Sequence, residues 1–96
     1  MRTRARSGEP QSALPCRHLT RIGPVEPANA YCPDCLATGK VWRELWLCLT
    51  CGWVACSNDS PGRHAEAHYA ETDHPIAAPL HGPAGTRWCF IDQRFV

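Results

Sequence analysis

Potential metal ligands are spread along almost the whole of this 96-residue chain, and they restrict its possible folds more than any other feature. The chain has seven cysteines and five histidines. Cys32 with Cys35, and Cys48 with Cys51, have the spacing with which one tight turn directs two thiolates toward a tetrahedral ion. One such pair is a weak signal, but two pairs separated by twelve residues and followed by further Cys and His predict zinc binding.

The apolar residues are too few for a large core. Hydrophobic residues make up 44% of the sequence, but seven of them are cysteines and twelve are alanines. Ordering about 80 residues costs on the order of 80 to 160 kcal/mol of conformational entropy, and small domains bury a low share of their surface. We therefore expect bound metal ions to stabilise the fold, each contributing roughly 10 kcal/mol or more.

The length allows one domain, and no apolar run approaches the roughly 18 residues of a membrane span. Residues 1–14 carry three arginines and no apolar stretch follows them, which predicts a disordered basic tail instead of a secretory signal. We therefore expect a cytoplasmic protein. Disulfides are rare in the cytosol, and an odd number of cysteines leaves one thiol over, so metal binding is favoured again.

Local patterns predict one helix and four strands. Ser60, as a capping residue before Pro61, marks the start of a helix that ends before the sequence Asp73-His74-Pro75. Apolar segments predict strands over residues 41–49, 53–55, 76–80 and 88–95. Pro79 restricts its strand to a sheet edge. Alternation in the last strand puts Trp88, Phe90, Asp92 and Arg94 on one side, and Cys89, Ile91, Gln93 and Phe95 on the other.

Further candidate ligands extend the set to eleven, one fewer than three four-ligand sites require. They are Cys16, His18, Cys56, His64, His68, His74 and Cys89. Asp92 lies three residues after Cys89, where a Cys-x-x-Cys pair has its second thiolate, and a carboxylate oxygen also binds zinc. His81 is the alternative twelfth ligand, although its Pro/Gly-rich turn favours solvent exposure. Asp92 as an exposed strand residue is the other alternative.

Other uses of these residues fit the pattern less well. Buried structural thiols or thioredoxin-like redox chemistry are alternatives for the paired cysteines, but no βαβ pattern follows either pair. A polar helix face is the alternative for His64 and His68. The sequence His64-Ala-Glu66 resembles part of a deaminase signature, but here the cysteine pairs come first. A full set of protein ligands leaves no open coordination position for catalysis, so we expect no enzymatic activity.

Together these residues resemble the UBP-type zinc finger, the ubiquitin-binding module of some deubiquitinases and of a cytoplasmic histone deacetylase. The motifs that carry the resemblance are Cys16-x-His18, Cys32-x-x-Cys35, Trp46-Leu-Cys48-Leu-Thr-Cys51-Gly52, Cys56, His64-Ala-x-x-His68-Tyr, His74-Pro75 and Trp88-Cys89-Phe90. They cover residues 16–96, and we expect the domain to span residues 15–96. The chain looks most like the free-standing bacterial members, which have no deubiquitinase or deacetylase domain attached.

The resemblance implies an α+β domain, with a twisted antiparallel sheet flanked by two helices and cross-braced zinc sites. It implies three ligand sets: Cys32, Cys35, Cys56 and His64; Cys48, Cys51, His68 and His74; and Cys16, His18, Cys89 and Asp92. Helical spacing by itself leaves open a single ion held by both His64 and His68. Because Asp92 replaces a cysteine of the best-known three-zinc members, we expect two to three zinc ions.

The resemblance also implies a pocket for the free C-terminal Gly-Gly of a partner, formed by aromatic rings and an arginine. The aromatic positions are those of Trp46, Trp88, Phe90 and Phe95, for which core packing around the zinc ions is the alternative. Asn58 stands where the arginine is expected. Loss of this charged partner costs roughly 2 to 5 kcal/mol, which makes ubiquitin itself a doubtful ligand unless Arg63, Arg87 or Arg94 replaces the cation.

We therefore expect a non-catalytic, monomeric module that recognises the C-terminal peptide tail of a partner protein. A nucleic-acid-binding zinc domain that contacts phosphates through the tail arginines is one alternative function. The lack of a basic stripe in residues 16–96 argues against it. A purely structural adaptor is the other alternative.

Overall fold

The computed structural model describes residues 16–96, in which a five-stranded antiparallel sheet is accompanied by two α-helices and one 3-10 helix. In chain order the elements are the 3-10 helix Arg17–Arg21, α1 Pro33–Thr38, β1 Leu45–Cys48, β2 Val54–Cys56, α2 His64–Thr72, β3 Ile76–Pro79, β4 Trp88–Cys89 and β5 Arg94–Phe95. The expected α+β fold, with one antiparallel sheet and two helices, is confirmed. The predicted tail over residues 1–14 lies outside the described residues.

The strand order is β2-β1-β3-β4-β5, and every neighbouring pair is antiparallel. Trp46 in β1 lies opposite Ala55 and Pro79, while Trp88 in β4 lies opposite Ala77 and Phe95. Directly opposed residues project from the same face of a sheet. One face of the sheet therefore carries large aromatic side chains on three of its strands.

The strand β3 lies at the centre of the sheet, so the prediction that Pro79 restricts it to an edge is wrong. Pro79 is the last residue of β3, and the next residue, Leu80, donates its N–H to the carbonyl of Leu45 at 2.8 Å. Because hydrogen-bonded pairs alternate along antiparallel strands, Pro79 needs no N–H toward β1. On its other side, β4 pairs only with the first two residues of β3.

The single strand predicted over residues 88–95 is wrong, because this segment forms the hairpin of β4 and β5. In a single strand over residues 88–95, alternation would put Trp88 and Arg94 on one side, and Cys89 and Phe95 on the other. In the hairpin, Trp88 lies opposite Phe95 and Cys89 lies opposite Arg94. The turn between the two strands therefore reverses the predicted side assignment of the last two strand residues.

The turn of this hairpin is closed by the same type of backbone hydrogen bond as the turn of Cys48 and Cys51. Gln93, at φ +57°, donates its N–H to the carbonyl of Cys89 at 2.8 Å. Gly52, at φ +85°, donates its N–H to the carbonyl of Cys48 at 2.9 Å. Both residues lie four positions after a cysteine, and both adopt the left-handed conformation, which is why the extended strand breaks here.

The helix α2 begins later than predicted, and its first turn is satisfied differently. The hydroxyl of Ser60 is buried and accepts a hydrogen bond from the N–H of Arg43 at 2.9 Å, so Ser60 does not cap the helix. The N–H of His64 donates instead to Sγ of Cys56 at 3.1 Å. The thiol at the end of β2, four residues before the predicted cap, therefore sets the first residue of α2. The helix ends before Asp73, as predicted.

The strands near the first two cysteine pairs also differ slightly from the predictions. Strand β1 covers only four residues of the predicted segment 41–49. Strand β2 begins one residue after the start of the predicted segment 53–55 and ends with Cys56. The extension of β2 to Cys56 places this thiol, fully buried, directly at the end of the sheet.

The core is small, as the composition predicts. Four of the eight largest fully buried side chains among the described residues belong to cysteines: Cys32, Cys35, Cys56 and Cys89. Helix α2 buries only Ala65, so an apolar stripe cannot attach it to the sheet. Within residues 16–96, no helix has both the length and the apolar character needed to cross a membrane.

Candidate metal centres and aromatic cluster

The structure gathers all twelve predicted ligands into three groups of four, and in each group the potential ligand atoms lie within 4.8 Å of one another. Cluster 1 is Cys32, Cys35, Cys56 and His64; cluster 2 is Cys48, Cys51, His68 and His74; cluster 3 is Cys16, His18, Cys89 and Asp92. His81 is exposed and lies outside cluster 3.

Cluster 1 joins α1, β2 and the first turn of α2. Cys32 precedes α1, and Pro33 starts the helix that carries Cys35 one turn further. The Sγ atoms of Cys32, Cys35 and Cys56 each lie 3.4 Å from Nδ1 of His64. Zinc bonds of about 2.3 Å to sulfur and 2.0 Å to nitrogen, at tetrahedral angles, separate these atoms by roughly 3.5 Å. The donor set and its spacing therefore fit one zinc ion.

Cluster 2 joins the turn after β1 to the second half of α2 and the segment before β3. Sγ of Cys48 lies 3.5 Å from Nδ1 of His74, and Sγ of Cys51 lies 3.4 Å from Nε2 of His68. The ring of His68 stacks on Trp53, with ring centroids 6.1 Å apart and planes inclined by 18°. Two thiols and two imidazoles at these distances also fit one zinc ion.

Cluster 3 joins the first described residues to the hairpin of β4 and β5. Nδ1 of His18 lies 3.6 Å from Sγ of Cys16, 3.4 Å from Sγ of Cys89 and 3.4 Å from Oδ1 of Asp92. The N–H of Asp92 donates to Sγ of Cys89 at 3.3 Å. This hydrogen bond is expected in a knuckle turn, a tight turn that directs two ligands three residues apart toward one ion. Asp92 thus occupies the place of a second knuckle thiolate, and the set fits one zinc ion.

The two histidines of α2 belong to different clusters. His64 directs its Nδ1 to cluster 1, whereas His68, one turn later, directs its Nε2 to cluster 2. Because clusters 1 and 2 take their residues alternately along the chain, the two sites brace each other and hold α2 against the sheet. This is the arrangement that the resemblance implied and that helical spacing alone left open.

Burial controls the ionisation of several of these groups. It raises the pKa of Cys35 to about 12, with further contributions from the neighbouring Cys32 and Cys56. Burial also raises the pKa of Cys16 and of Cys48. Without a cation these thiols retain their protons, and a bound dication reverses that preference.

The imidazole of His68 is favoured in its neutral form. Burial lowers its pKa, the neighbouring His74 lowers it further, and Glu71 acts in the opposite direction. Neutral imidazole is the form that binds metal, so this environment suits a ligand role.

The four predicted pocket aromatics lie together on one face of the sheet. Trp46 has ring centroids at 5.8 Å from Trp88, 5.8 Å from Phe90 and 6.4 Å from Phe95. Phe90 is buried, and its ring stacks on Tyr69 of α2 at 5.3 Å. Phe95 is 54% exposed, so the aromatic cluster of these four rings extends from the core to the surface.

Two of these rings have an unsatisfied polar group. The indole Nε1 atoms of Trp46 and Trp88 are buried and have no hydrogen-bond partner within the described residues. Leaving a buried donor unsatisfied costs about 1 to 3 kcal/mol, so such groups mark positions where a ligand acceptor is favoured.

Asn58, at the position expected for a cation, and the three arginines that could replace that cation have different surroundings. Asn58 lies in the turn after β2, and its buried Oδ1 has no partner among the described groups. Arg63 pairs with Glu66 at 2.9 Å, and Arg94 lies 3.4 Å from Asp92 of cluster 3. Arg87 directly precedes Trp88, and its Nε is buried without a hydrogen-bond partner in the described part of the chain.

Sequence reasoning missed three contributors to these sites. Tyr69 stacks on Phe90, Trp53 stacks on His68, and Arg94 contacts Asp92. The signal for Tyr69 was present, because it follows His68 and is on the same helix as two ligands. The predicted alternation already places Arg94 on the same side as Asp92, whereas nothing local indicates the contact of Trp53, which depends on the packing of α2 over β2.

The match to a family of known proteins covers most of the described chain. Residues 32–96 match the family described as the zinc finger in ubiquitin hydrolases and other proteins. A solution NMR structure of a protein from Rhodopseudomonas palustris is similar, with a TM-score of 0.75 and 40% sequence identity. That similarity covers 86% of this chain and 81% of the other.

Two curated relatives are much longer proteins. Histone deacetylase 6 of Caenorhabditis elegans is 28% identical over 93 residues, which are 94% of this chain and 9% of the relative. Ubiquitin carboxyl-terminal hydrolase 14 of Schizosaccharomyces pombe is 39% identical over 57 residues, which are 54% of this chain and 7% of the relative. The chain thus spans a tenth or less of these relatives. With three fitting clusters and the zinc-finger match, the predicted cofactor of two to three zinc ions is confirmed.

Proposed function

This chain belongs to the family of zinc fingers found in ubiquitin hydrolases and other proteins, and from that membership we propose a non-catalytic module that binds the C-terminal peptide tail of a partner protein. In this proposal the twelve residues of clusters 1 to 3 are the zinc ligands. Their complete four-ligand sets support a structural role for the ions, because a catalytic zinc keeps one position for water.

The observation that carries the proposed binding function is the pair of buried indole N–H groups in the aromatic cluster. Trp46 and Trp88 lie 5.8 Å apart between ring centroids, and neither N–H has a partner among the described residues. A carboxylate or carbonyl oxygen placed beside them accepts hydrogen bonds that the protein itself leaves unmade. The exposed ring of Phe95 provides an apolar contact at the outer end of the cluster.

Small residues are the tail chemistry that fits best. The aromatic rings of the cluster lie 5.0 to 6.4 Å apart, which is direct ring contact, so a bound tail lies against the cluster and not between its rings. Two terminal glycines require the least space, and a free carboxylate supplies two acceptor oxygens for the two indole donors. Because Asn58 is neutral, we expect weak binding, with a dissociation constant near the millimolar range.

The direct test is a titration of the zinc-loaded chain with a Gly-Gly-ending peptide, as the free acid and as the amide. We expect the indole N–H signals of Trp46 and Trp88 to shift with the free acid, and those of Trp42 and Trp53 to stay in place as internal controls. Phe95→Ala should remove the shifts without unfolding the domain, because its ring is half exposed. Leu36→Ala, at an exposed position on α1, is the matched control and should leave them unchanged.

The substitution Asn58→Arg sharpens the same experiment. Restoring a cation should strengthen binding of the free acid by about tenfold or more and leave the amide unaffected. Absence of any shift with the free acid at millimolar concentration would overturn the proposal. The same holds if only the Asn58→Arg variant binds, because the natural chain is then no receptor for such tails.

A further inference from the structure

Asp92 is the one carboxylate among the predicted zinc ligands, and a guanidinium contacts it. Nη2 of Arg94 lies 3.4 Å from Oδ2 of Asp92, while Oδ1 of Asp92 lies 3.4 Å from Nδ1 of His18. The two oxygens of this carboxylate therefore have different partners. One faces the other ligand atoms of cluster 3, and the other faces Arg94.

The hairpin fixes Arg94 in this position. Arg94 in β5 lies directly opposite Cys89 in β4, so its side chain projects from the same face of the sheet as a cluster 3 thiol. The side chain of Arg94 is only 12% exposed, and that of Asp92 is 19% exposed. An ion pair that is this well buried is screened much less than a surface pair.

The charges of cluster 3 favour such a partner but do not by themselves require one, since cluster 1 with three thiolates has the same net charge. With two thiolates, one carboxylate and a neutral imidazole, a bound zinc dication leaves one negative charge in a largely buried site. The guanidinium of Arg94 neutralises that charge. Cluster 2, with two thiolates and two imidazoles, balances the dication by itself and requires no cation.

We propose that Arg94 is a positioning residue for the zinc site of cluster 3. Its guanidinium holds Oδ2 of Asp92, so that Oδ1 is presented to the ion as a single ligand atom, and it compensates the charge of the site. A carboxylate is less firmly oriented than a thiolate on a knuckle turn, because it has two equivalent oxygens and an additional rotatable bond. Arg94 therefore supplies the orientation that a cysteine at position 92 has from the turn alone. This inference rests on the ligand assignment proposed above.

The first experiment measures zinc binding to the full chain by competition with a chromophoric chelator. The binding step that belongs to cluster 3 is the one that is absent from the Asp92→Ala variant. Removing the hydrogen-bond partner of a ligating carboxylate typically lowers metal affinity 10- to 100-fold, and we expect this range for Arg94→Ala. Arg94→Gln covers the case in which the alanine variant folds poorly. Arg94→Lys retains the charge without the planar fork and should lose less than about tenfold. Arg43→Ala, which removes an exposed arginine that belongs to no cluster and adjoins no ligand, is the matched control and should have no effect.

A second readout follows the geometry of the site. Cobalt(II) replaces zinc and absorbs visible light intensely when it is tetrahedral. We expect Arg94→Ala to weaken the absorption that belongs to cluster 3 and to leave that of the other clusters unchanged. In the Asp92→Cys background, where a third thiolate takes the place of the carboxylate, Arg94→Ala should lower the affinity clearly less than in the natural chain and leave the spectrum unchanged, because only charge compensation is lost.

The outcomes separate this inference from the ligand assignment. If Asp92→Ala retains the full number of zinc ions, the ligand assignment of cluster 3 is wrong. If Asp92→Ala loses one ion but Arg94→Ala keeps the affinity within about twofold of the natural chain, only the role of Arg94 is overturned. Equal losses from Arg94→Ala in the natural and Asp92→Cys backgrounds also overturn the positioning role, because Arg94 then acts in the same way whether or not a carboxylate is present.

Discussion

Clusters 1 and 3 each contain two potential ligands three residues apart, but in different surroundings. In cluster 1 all three cysteines are fully buried and connect α1, β2 and α2 in the middle of the fold. Cluster 3 joins residues 71 positions apart in sequence, and it includes a carboxylate and an imidazole that are 19% and 26% exposed. The first is part of the core, whereas the second fastens the start of the described chain to the final hairpin. Their ions should therefore contribute unequally to stability.

The largest expected effect is the loss of a cluster 1 ligand. Cys35→Ser should release one zinc ion and unfold the domain, because a structural zinc contributes roughly 10 kcal/mol and a domain of this size has about 5 to 15 kcal/mol in total. Asp92→Ala should also release one ion but leave the sheet folded. Elemental analysis gives the zinc per chain, and dispersion of amide NMR signals reports folding. Two variants that are equally folded or equally unfolded would contradict the difference between the clusters.

The knuckle turns themselves allow a finer comparison. Gly52 has φ +85°, and a Cβ at this position meets the carbonyl oxygen of Glu26. Gly52→Ala should therefore lower the free energy of unfolding by about 2 kcal/mol or more. At the equivalent position of the cluster 3 turn, Gln93 already adopts φ +57°, and Gln93→Gly should change stability by less than about 1 kcal/mol. Denaturant unfolding with zinc in excess measures both, and a larger effect at Gln93 would contradict the equivalence of the two turns.

The smallest expected difference between clusters 1 and 3 is in how their zinc affinity depends on pH. A thiol must lose its proton to bind zinc, and burial raises the pKa of Cys35 to about 12, so protons compete with the ion throughout the neutral range. Affinity should fall as pH falls, by up to about tenfold per pH unit for each thiol displaced. Cluster 1, with three thiols, should therefore show a steeper fall than cluster 3, with two. Chelator competition between about pH 7 and pH 8.5 avoids protonating histidine, and equal slopes would argue against this difference.

Much of the site was predictable because knuckle turns are local. The spacing of Cys32 and Cys35 is enough to bring two thiolates to one ion, and the position of Asp92 after Cys89 indicates the same geometry. Assigning His64 and His68 to separate ions depended on the family resemblance. Spacing alone does not distinguish one shared ion from two, because residues four apart share a helix face.

Element boundaries were less predictable, since the clusters set them. The first residue of α2 is fixed by a hydrogen bond from His64 to Sγ of Cys56, not by the serine and proline that precede it. The break between β4 and β5 follows from the knuckle at Cys89, which a pattern of alternating residues does not reveal. A proline was also acceptable in the central strand, because Pro79 lies where the ladder requires no donor.

The sequence by itself determined that this chain folds around metal ions, since its apolar residues are too few and its thiols and imidazoles are correctly spaced. It also indicated which potential ligands three residues apart share a local turn. Only the tertiary structure decided the long-range contacts of Trp53 with His68 and of Tyr69 with Phe90. The physical reason is that spacing within a few residues fixes where a ligand points, whereas contacts between distant segments depend on the register of the strands and the packing of the helix.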